Sequence, residues 1–358
     1  MAALYLHIPF RTPPSSSETS EFTAAVVQEM NRYARPPYTD APFRAFYVGG
    51  GRPSSLPETA LQTLVEAPRQ QLGITEFDEV SIELHPADAS MSFLETLHEL
   101  GLTRLSIAAR SFVDAELRAI EALYSTEDLE GILRTARAIG VERLSVDLVF
   151  GGTEQSRSTW KNSLHNAVAL RVPHITLHER EAEGNPKDED DRADRFAFAM
   201  TFLDAKGYEQ YELTHFARPG HRSRYQEQVY AHSNVLGLGP GAESFWWPDR
   251  AEPTSAQRWA NVPDVATYVN QLRSDAWPVA RREHFDRSAL AREYVLLRLR
   301  TRNGLDLDVL NDRYNASLRT HRLDRLIQEG LLHDDPHRVR LTPRGRLLAD
   351  AVTQRLLP

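Results

Sequence analysis

Leu4-Tyr5-Leu6-His7-Ile8-Pro9-Phe10 opens the chain, and Arg11-Thr12-Pro13-Pro14-Ser15-Ser16-Ser17-Glu18 follows it. The first stretch ends a short apolar run, residues 3–8, that reads as a strand. The second, with its two prolines and three serines in succession from Pro13 to Ser17, reads as a mobile loop. Outward from this start the pattern repeats. Residues 43–49, 79–84, 104–109, 143–150 and 174–178 are further strand-like runs. Amphipathic helical stretches fall between them at 57–71, 90–100, 114–139 and 157–170. Gly101, Gly140 and Gly207 fit C-terminal helix caps. Six strand–helix alternations imply a parallel sheet with right-handed crossovers. An open doubly wound sheet and a barrel both satisfy that pattern, and six units are too few for an eight-unit barrel.

Composition narrows the function classes. The chain has 358 residues, about two domains' worth, and contains no cysteine. That excludes disulfides, thiolate metal sites and cysteine nucleophiles together. The net charge of −8 does not describe a polyanion binder. Only Lys161, Lys187 and Lys206 are lysines, and such arginine dominance reflects genome composition rather than function. No apolar run approaches the ~18 residues of a membrane span. The N-terminal stretch lacks the basic and apolar regions of a signal peptide, so a cytoplasmic location is expected.

The polar run 179–195 reads as a solvated loop leading into a helix at 192–206. Residues 262–277 look like a helical connector. From about Arg281 the character changes: helices at 286–300, 305–313 and 317–328 precede Gly330-Leu331-Leu332, a strand-like Val339-Arg340-Leu341, then Thr342-Pro343-Arg344-Gly345 and a last helix. That is the form of a winged helix. With 16 Arg against 11 Asp and Glu, residues 281–358 carry +5. The expected domains are therefore 1–250, a connector 251–280 and a winged-helix-like module 281–358.

Further motifs lie at the strand ends, where α/β ligand sites form. Tyr47-Val48-Gly49-Gly50-Gly51-Arg52-Pro53-Ser54 sets a glycine triplet after the second strand, where backbone can approach a ligand closely. Ser81-Ile82-Glu83-Leu84-His85-Pro86, Arg104 to Phe112 and Ser145-Val146-Asp147-Leu148 follow. Glu83, Arg110 and Asp147 are expected to converge at one mouth, where two carboxylates beside an arginine can do acid–base work. His85 and His178, with Glu83 or Glu179, form a weaker metal candidate, and His7 is expected to hydrogen-bond inside the fold. No Ser/His/Asp arrangement, phosphate-binding loop or H-E-x-x-H is present.

In their order and spacing these motifs, over residues 4–357, resemble the radical-SAM family of oxygen-independent coproporphyrinogen III oxidases and HemW-type haem chaperones, the chaperone branch more closely. The resemblance implies a partial (β/α)6 barrel followed by a winged-helix domain. It also implies a [4Fe–4S] cluster held by C-x3-C-x2-C after the opening heptapeptide, and S-adenosylmethionine bound to it. Here the three cluster positions are Arg11, Ser15 and Glu18, none of which can replace a bridging-cluster thiolate. The family's Gly-Arg-x-His, whose arginine holds the methionine carboxylate, corresponds to Glu121-Ala122-Leu123-Tyr124.

The resemblance implies a residual adenosyl site at Gly49, Gly50, Gly51, Glu83 and Asp147. In the stretch from Tyr211 to Phe245 the family's haem-linked His-Asn-x-x-Tyr-Trp is Tyr225-Gln226-Glu227-Gln228-Val229-Tyr230. His215 and His221 stand nearby and are the candidate axial haem ligands. The expected role is haem or tetrapyrrole binding and delivery to a receiving protein, without cluster or radical turnover. The alternatives are a scaffold or regulator acting through the winged helix, whose arginines can meet phosphates, and a barrel enzyme using Glu83, Arg110 and Asp147. Nucleic acid is not the expected partner.

Overall fold

The computed structural model describes residues 1–152, 154–180, 186–249 and 254–357, and for 186–190 the backbone alone. The chain runs β1 (Ala2–Ile8), α1 (Ser16–Arg32), β2 (Phe43–Gly50), α2 (Glu58–Leu72), β3 (Glu79–Leu84), α3 (Met91–Glu99) and β4 (Arg104–Arg110). It continues with α4 (Asp114–Ala119), α5 (Thr126–Ala138), β5 (Arg143–Phe150), α6 (Arg157–Ala169), β6 (His174–Glu179) and α7 (Pro186–Ala205). Strands β1 to β6 are parallel and adjacent in chain order. This is the expected six-unit partial barrel, and the sheet does not close on itself.

The strands obey the pleat. Leu4, Leu6, Ile8, Phe46, Val48, Ile82, Leu84, Leu105 and Ile107 enter the main core with helix residues such as Phe22, Met30 and Leu64. The alternate positions carry Tyr5, His7, Tyr47, Ser81, Glu83, Ser106 and Asp147, which meet one another on the concave face. A half-polar strand face is affordable only where hydrogen bonds and a cavity receive it.

Four sequence expectations change. The helix expected over 114–139 is two: the first ends at Ala119, and Ser125 caps the second through a capping box with Asp128. The helix expected from 192 starts at Pro186, a residue suited to a first turn; the preceding 181–185 of the polar run lie outside the described residues. The loop expected to be mobile over 13–17 gives way to helix at Ser16. The connector expected over 251–280 holds a strand at Ser255–Asn261 and the start of another at Val279 as well as a helix at Val265–Arg273, which lies within the 262–277 read as helical.

After β7 (Glu209–Gln210), β8 (His215–Ala217) and α8 (Arg224–Tyr230), strands β9 (Asn234–Leu238), β10 (Glu243–Trp246), β11 (Ser255–Asn261) and, after α9 (Val265–Arg273), β12 (Val279–Asp286) extend the sheet beyond β1. Its edges are β12 and β7. Trp259, Tyr268 and Leu272 of this segment belong to the main core, so the segment does not stand apart as a linker.

The remainder is α10 (Arg287–Leu299), β13 (Leu305–Asp306), α11 (Leu307–Tyr314), α12 (Thr320–Gln328), β14 (Arg338–Val339), α13 (Pro343–Leu347) and α14 (Ala349–Leu356). β13 pairs antiparallel with β14 as a small wing. This module has its own core, which also takes in Phe245 and Phe285 from the large sheet and Leu213 and Trp247 from beside it. Its arginines are mostly engaged. Arg338 pairs with Asp306, Arg340 with Asp335, and Arg325 and Arg355 with Glu329. Arg346 reaches Gln210 at 2.6 Å, across to the barrel. No described helix is long and apolar enough to cross a membrane.

Candidate functional site

The C-terminal ends of the parallel strands surround a cavity of about 1010 Å³. Gly50, Glu83, Arg110 and Asp147 all line it, as the sequence led us to expect. Glu83 is the best fixed: its carboxylate accepts from the Tyr47 hydroxyl at 2.7 Å and from the Gly50 amide at 3.1 Å. Burial pushes its pKa up to about 7; the Tyr47 bond opposes this and the Asp147 charge reinforces it. Asp147 in turn accepts from the Ser106 hydroxyl at 3.3 Å.

The glycine triplet is required by packing already present. A Cβ on Gly49 would lie 2.8 Å from a Glu83 oxygen, and one on Gly50 (φ +110°) 2.7 Å from the His7 ring. One on Gly51 would lie 2.4 Å from the Phe10 carbonyl oxygen. The Gly51 amide instead donates to the Ile8 carbonyl at 2.7 Å, which fixes the exit of β1.

That exit leads to the positions that the resemblance assigns to the cluster, two of which form a helix terminus. Ser15 is the N-cap of α1: its hydroxyl accepts from the Glu18 amide at 3.3 Å. The Glu18 carboxylate accepts from the Ser15 amide at 2.8 Å and from its hydroxyl at 2.6 Å. This reciprocal capping box consumes both positions. The third, Arg11, is an exposed cation without a lone pair to give. An iron–sulfur cluster does not fit these residues. Among the described residues no group of three His, Cys, Asp or Glu is arranged to hold a metal. Ala122, at the place of the family's carboxylate-binding arginine, lines the mouth with no polar side chain to offer.

The two histidines expected to bind haem lie elsewhere. His215 pairs with Thr176 across β8 and β6, its side chain 11% exposed, and its Nδ1 is 2.6 Å from Glu212. Its ring faces His174 and Tyr211. Burial pushes Glu212 up, but the His215 hydrogen bond and charge outweigh it and hold the carboxyl at about 2. His174, between Ser145 (2.7 Å) and Tyr211 (2.9 Å), is pushed well below the usual imidazole range by burial. His215 is thus part of a locked polar network, and neither it nor His221 lines the mouth.

Two other imidazoles do line it. His85 uses Nδ1 to accept from the Ala87 amide at 3.3 Å, and burial followed by the Arg52 charge lowers its pKa. His178, exposed at the end of β6, has no hydrogen bond to its ring among the described residues.

Sequence reading gave no role to four contributors. Arg180 lines the mouth just past β6. Arg52 and Ser54, beside the glycine triplet, clamp Asp88. Glu79 is fully buried and accepts from the Ser223 hydroxyl and the Arg224 and Tyr225 amides, holding α8 against the concave face. Tyr225 then stacks on Tyr47 at 4.8 Å. An acidic residue opening an apolar strand was the available signal for Glu79.

Comparison with known proteins agrees with this geometry. The family model of the HemN C-terminal domain matches residues 285–348. The heme chaperone HemW of Mycobacterium tuberculosis is 31% identical over 332 residues, covering 89% of this chain and 82% of that protein. The Bacillus subtilis heme chaperone HemW is 26% identical, covering 98% of each. The structure of coproporphyrinogen III oxidase (HemN) from Escherichia coli, a radical SAM enzyme, superposes with a TM-score of 0.84 at 20% identity, over 99% of this chain and 90% of that one, and so shares the fold. The chain belongs to the HemW/HemN-like radical-SAM family.

Proposed function

We propose that this protein binds haem or another tetrapyrrole at the barrel mouth and passes it to a receiving protein in the cytoplasm, without radical-SAM turnover. One observation carries this reading: the family's cluster loop has become the capped first turn of α1, while the large mouth remains. Its relatives include proteins named as heme chaperones. The mouth offers what a carboxylated macrocycle needs. His178 is a free imidazole able to take the axial position. Arg110 and Arg180 can meet carboxylates. Ile120 and Leu123, 41% and 81% exposed, offer apolar faces on the same lining.

The test is a haem titration followed by the Soret band. Saturation near one haem per chain is expected, with affinity weakened about tenfold or more in His178→Ala, as loss of an axial bond implies. His215→Ala and His221→Ala are expected to leave it unchanged. A flat response removes the reading; loss in His215→Ala alone moves the site to the other end of the barrel.

A second reading has one observation in its favour. Glu83, raised to about 7 beside Asp147 and Arg110 in a cavity, is poised for proton transfer. A cellular function lost in Glu83→Gln and kept in His178→Ala supports a barrel enzyme instead.

A further inference from the structure

Away from the mouth, a small recess of about 160 Å³ lies between the end of α1 and strands β11 and β12. Its walls are aromatic. Tyr33 and Trp259 are buried and lie parallel at 6.3 Å, tied by a 3.0 Å hydrogen bond from the Trp259 indole to the Tyr33 hydroxyl. Tyr38 stands edge-on to Tyr33 at 4.8 Å. Trp277, 39% exposed, leans over Tyr33 at 5.2 Å and forms the outer wall. A tryptophan left this open beside a cavity lacks the cover that tryptophans ordinarily find.

The polar groups around the recess are the second observation. Gln257 lines it and has no side-chain hydrogen bond among the described residues. Arg35 and Arg282 also line it, their guanidinium groups 5.9 Å from the Trp277 ring and 6.0 Å from the Trp259 ring. Neither has a carboxylate partner or a hydrogen bond to its side chain among the described residues. The neighbouring Arg32 differs, being held by Asp275 at 2.8 Å and by the carbonyls of Leu272 and Ala276. Two unpaired guanidiniums at one aromatic recess, in a chain of net charge −8, mark a place where negative charge is wanted.

Size and chemistry together select the ligand. The recess is well below the ~300 Å³ of a drug-sized pocket, so it takes about one planar ring. Aromatic walls stack any π-face, an amide can pair with a ring edge bearing both donor and acceptor, and the arginines bind an anion just outside. We propose that this recess is a binding site for a nucleoside monophosphate group, the base held among Tyr33, Tyr38 and Trp277, its edge on Gln257 and its phosphate between Arg35 and Arg282. The group can come from a free nucleotide or from the end of an oligonucleotide.

The experiment is calorimetric titration of the full chain with AMP, adenosine and inorganic phosphate, and with a short 3′-phosphorylated oligonucleotide. Saturable AMP binding is expected, about tenfold weaker in Trp277→Ala and in Arg282→Ala, and weaker again for adenosine or phosphate alone. Both variants change exposed side chains, and their far-UV spectra and melting curves establish that they fold. Tighter binding of the oligonucleotide than of AMP identifies a strand end as the source; the reverse identifies the free nucleotide. Glu83→Gln, at the mouth, is expected to have no effect. AMP binding that is lost in Glu83→Gln but kept in Trp277→Ala overturns the proposal, as does the absence of AMP binding.

Discussion

Glu83 shows how much one buried carboxyl can govern. Its folded pKa of about 7 stands above its ordinary 4.5, so between those values the native state binds more protons than the unfolded one. Its contribution to stability is therefore full at low pH and is lost as pH rises through about 7. Buried neutral histidines such as His174 act in the opposite sense below their ordinary pKa of 6.5, so the total slope is ambiguous while a difference is not. We expect the stability of Glu83→Gln relative to the parent to rise from about pH 5 to about pH 8, by urea denaturation. A flat difference means that Glu83 titrates normally. Glu212 has the reverse sign: held at about 2, it contributes above 4.5 and loses its contribution as pH falls toward 2. Replacing His215 by Ala is expected to shift acid unfolding to higher pH. These residues were visible in sequence as types; their states were not, because Glu83 depends on Tyr47 and Asp147, which meet only across three strands.

At the scale of elements, α1 makes the sharpest prediction. Losing the Ser15 hydroxyl in Ser15→Ala is expected to cost about 1 kcal/mol in denaturant unfolding. Restoring cysteines at 11, 15 and 18 together is expected to permit iron uptake on anaerobic reconstitution, read from the visible spectrum, with no uptake expected in the parent. The glycine triplet is equally committed: Gly51→Ala places a methyl against the Phe10 carbonyl and is expected to cost about 1–3 kcal/mol.

Strands β1 to β6 were legible because each is a short apolar run separated from the next by helical sequence, and two of the intervening helices run into Gly101 and Gly140. β12 was not, because Arg281, Arg282, Glu283, His284 and Asp286 lie exposed on an edge strand and read as a loop. Ser15-x-x-Glu18 is itself a capping-box sequence, and the prolines before it drew the reading toward disorder instead.

For the molecule as a whole, the winged module is fastened to the barrel by a shared core and not by charge alone. Phe245 and Phe285 of the sheet, and Trp247 just after β10, share one core with Tyr294 and Tyr314 of the module, Trp247 lying against Tyr314. Arg300 lies 3.9 Å from buried Glu212, adding a polar tie. A single cooperative transition is expected in scanning calorimetry; two resolved transitions mean that the halves fold independently. Arg325, Arg338, Arg340 and Arg355 are ion-paired inside the module, which leaves its +5 unchanged but fewer guanidiniums free to meet phosphates, and weak, strongly salt-dependent nucleic-acid binding by this face is the most it is expected to give.

The capped start of α1 also has a consequence for descent. A single cysteine placed back at 15 or 18 breaks the cap at once and gains nothing, since a cluster needs all three thiolates together. A stepwise return through 15 and 18 therefore loses the cap before a cluster can form. The helix turn works as a ratchet, set by the ordinary energetics of a serine and a glutamate.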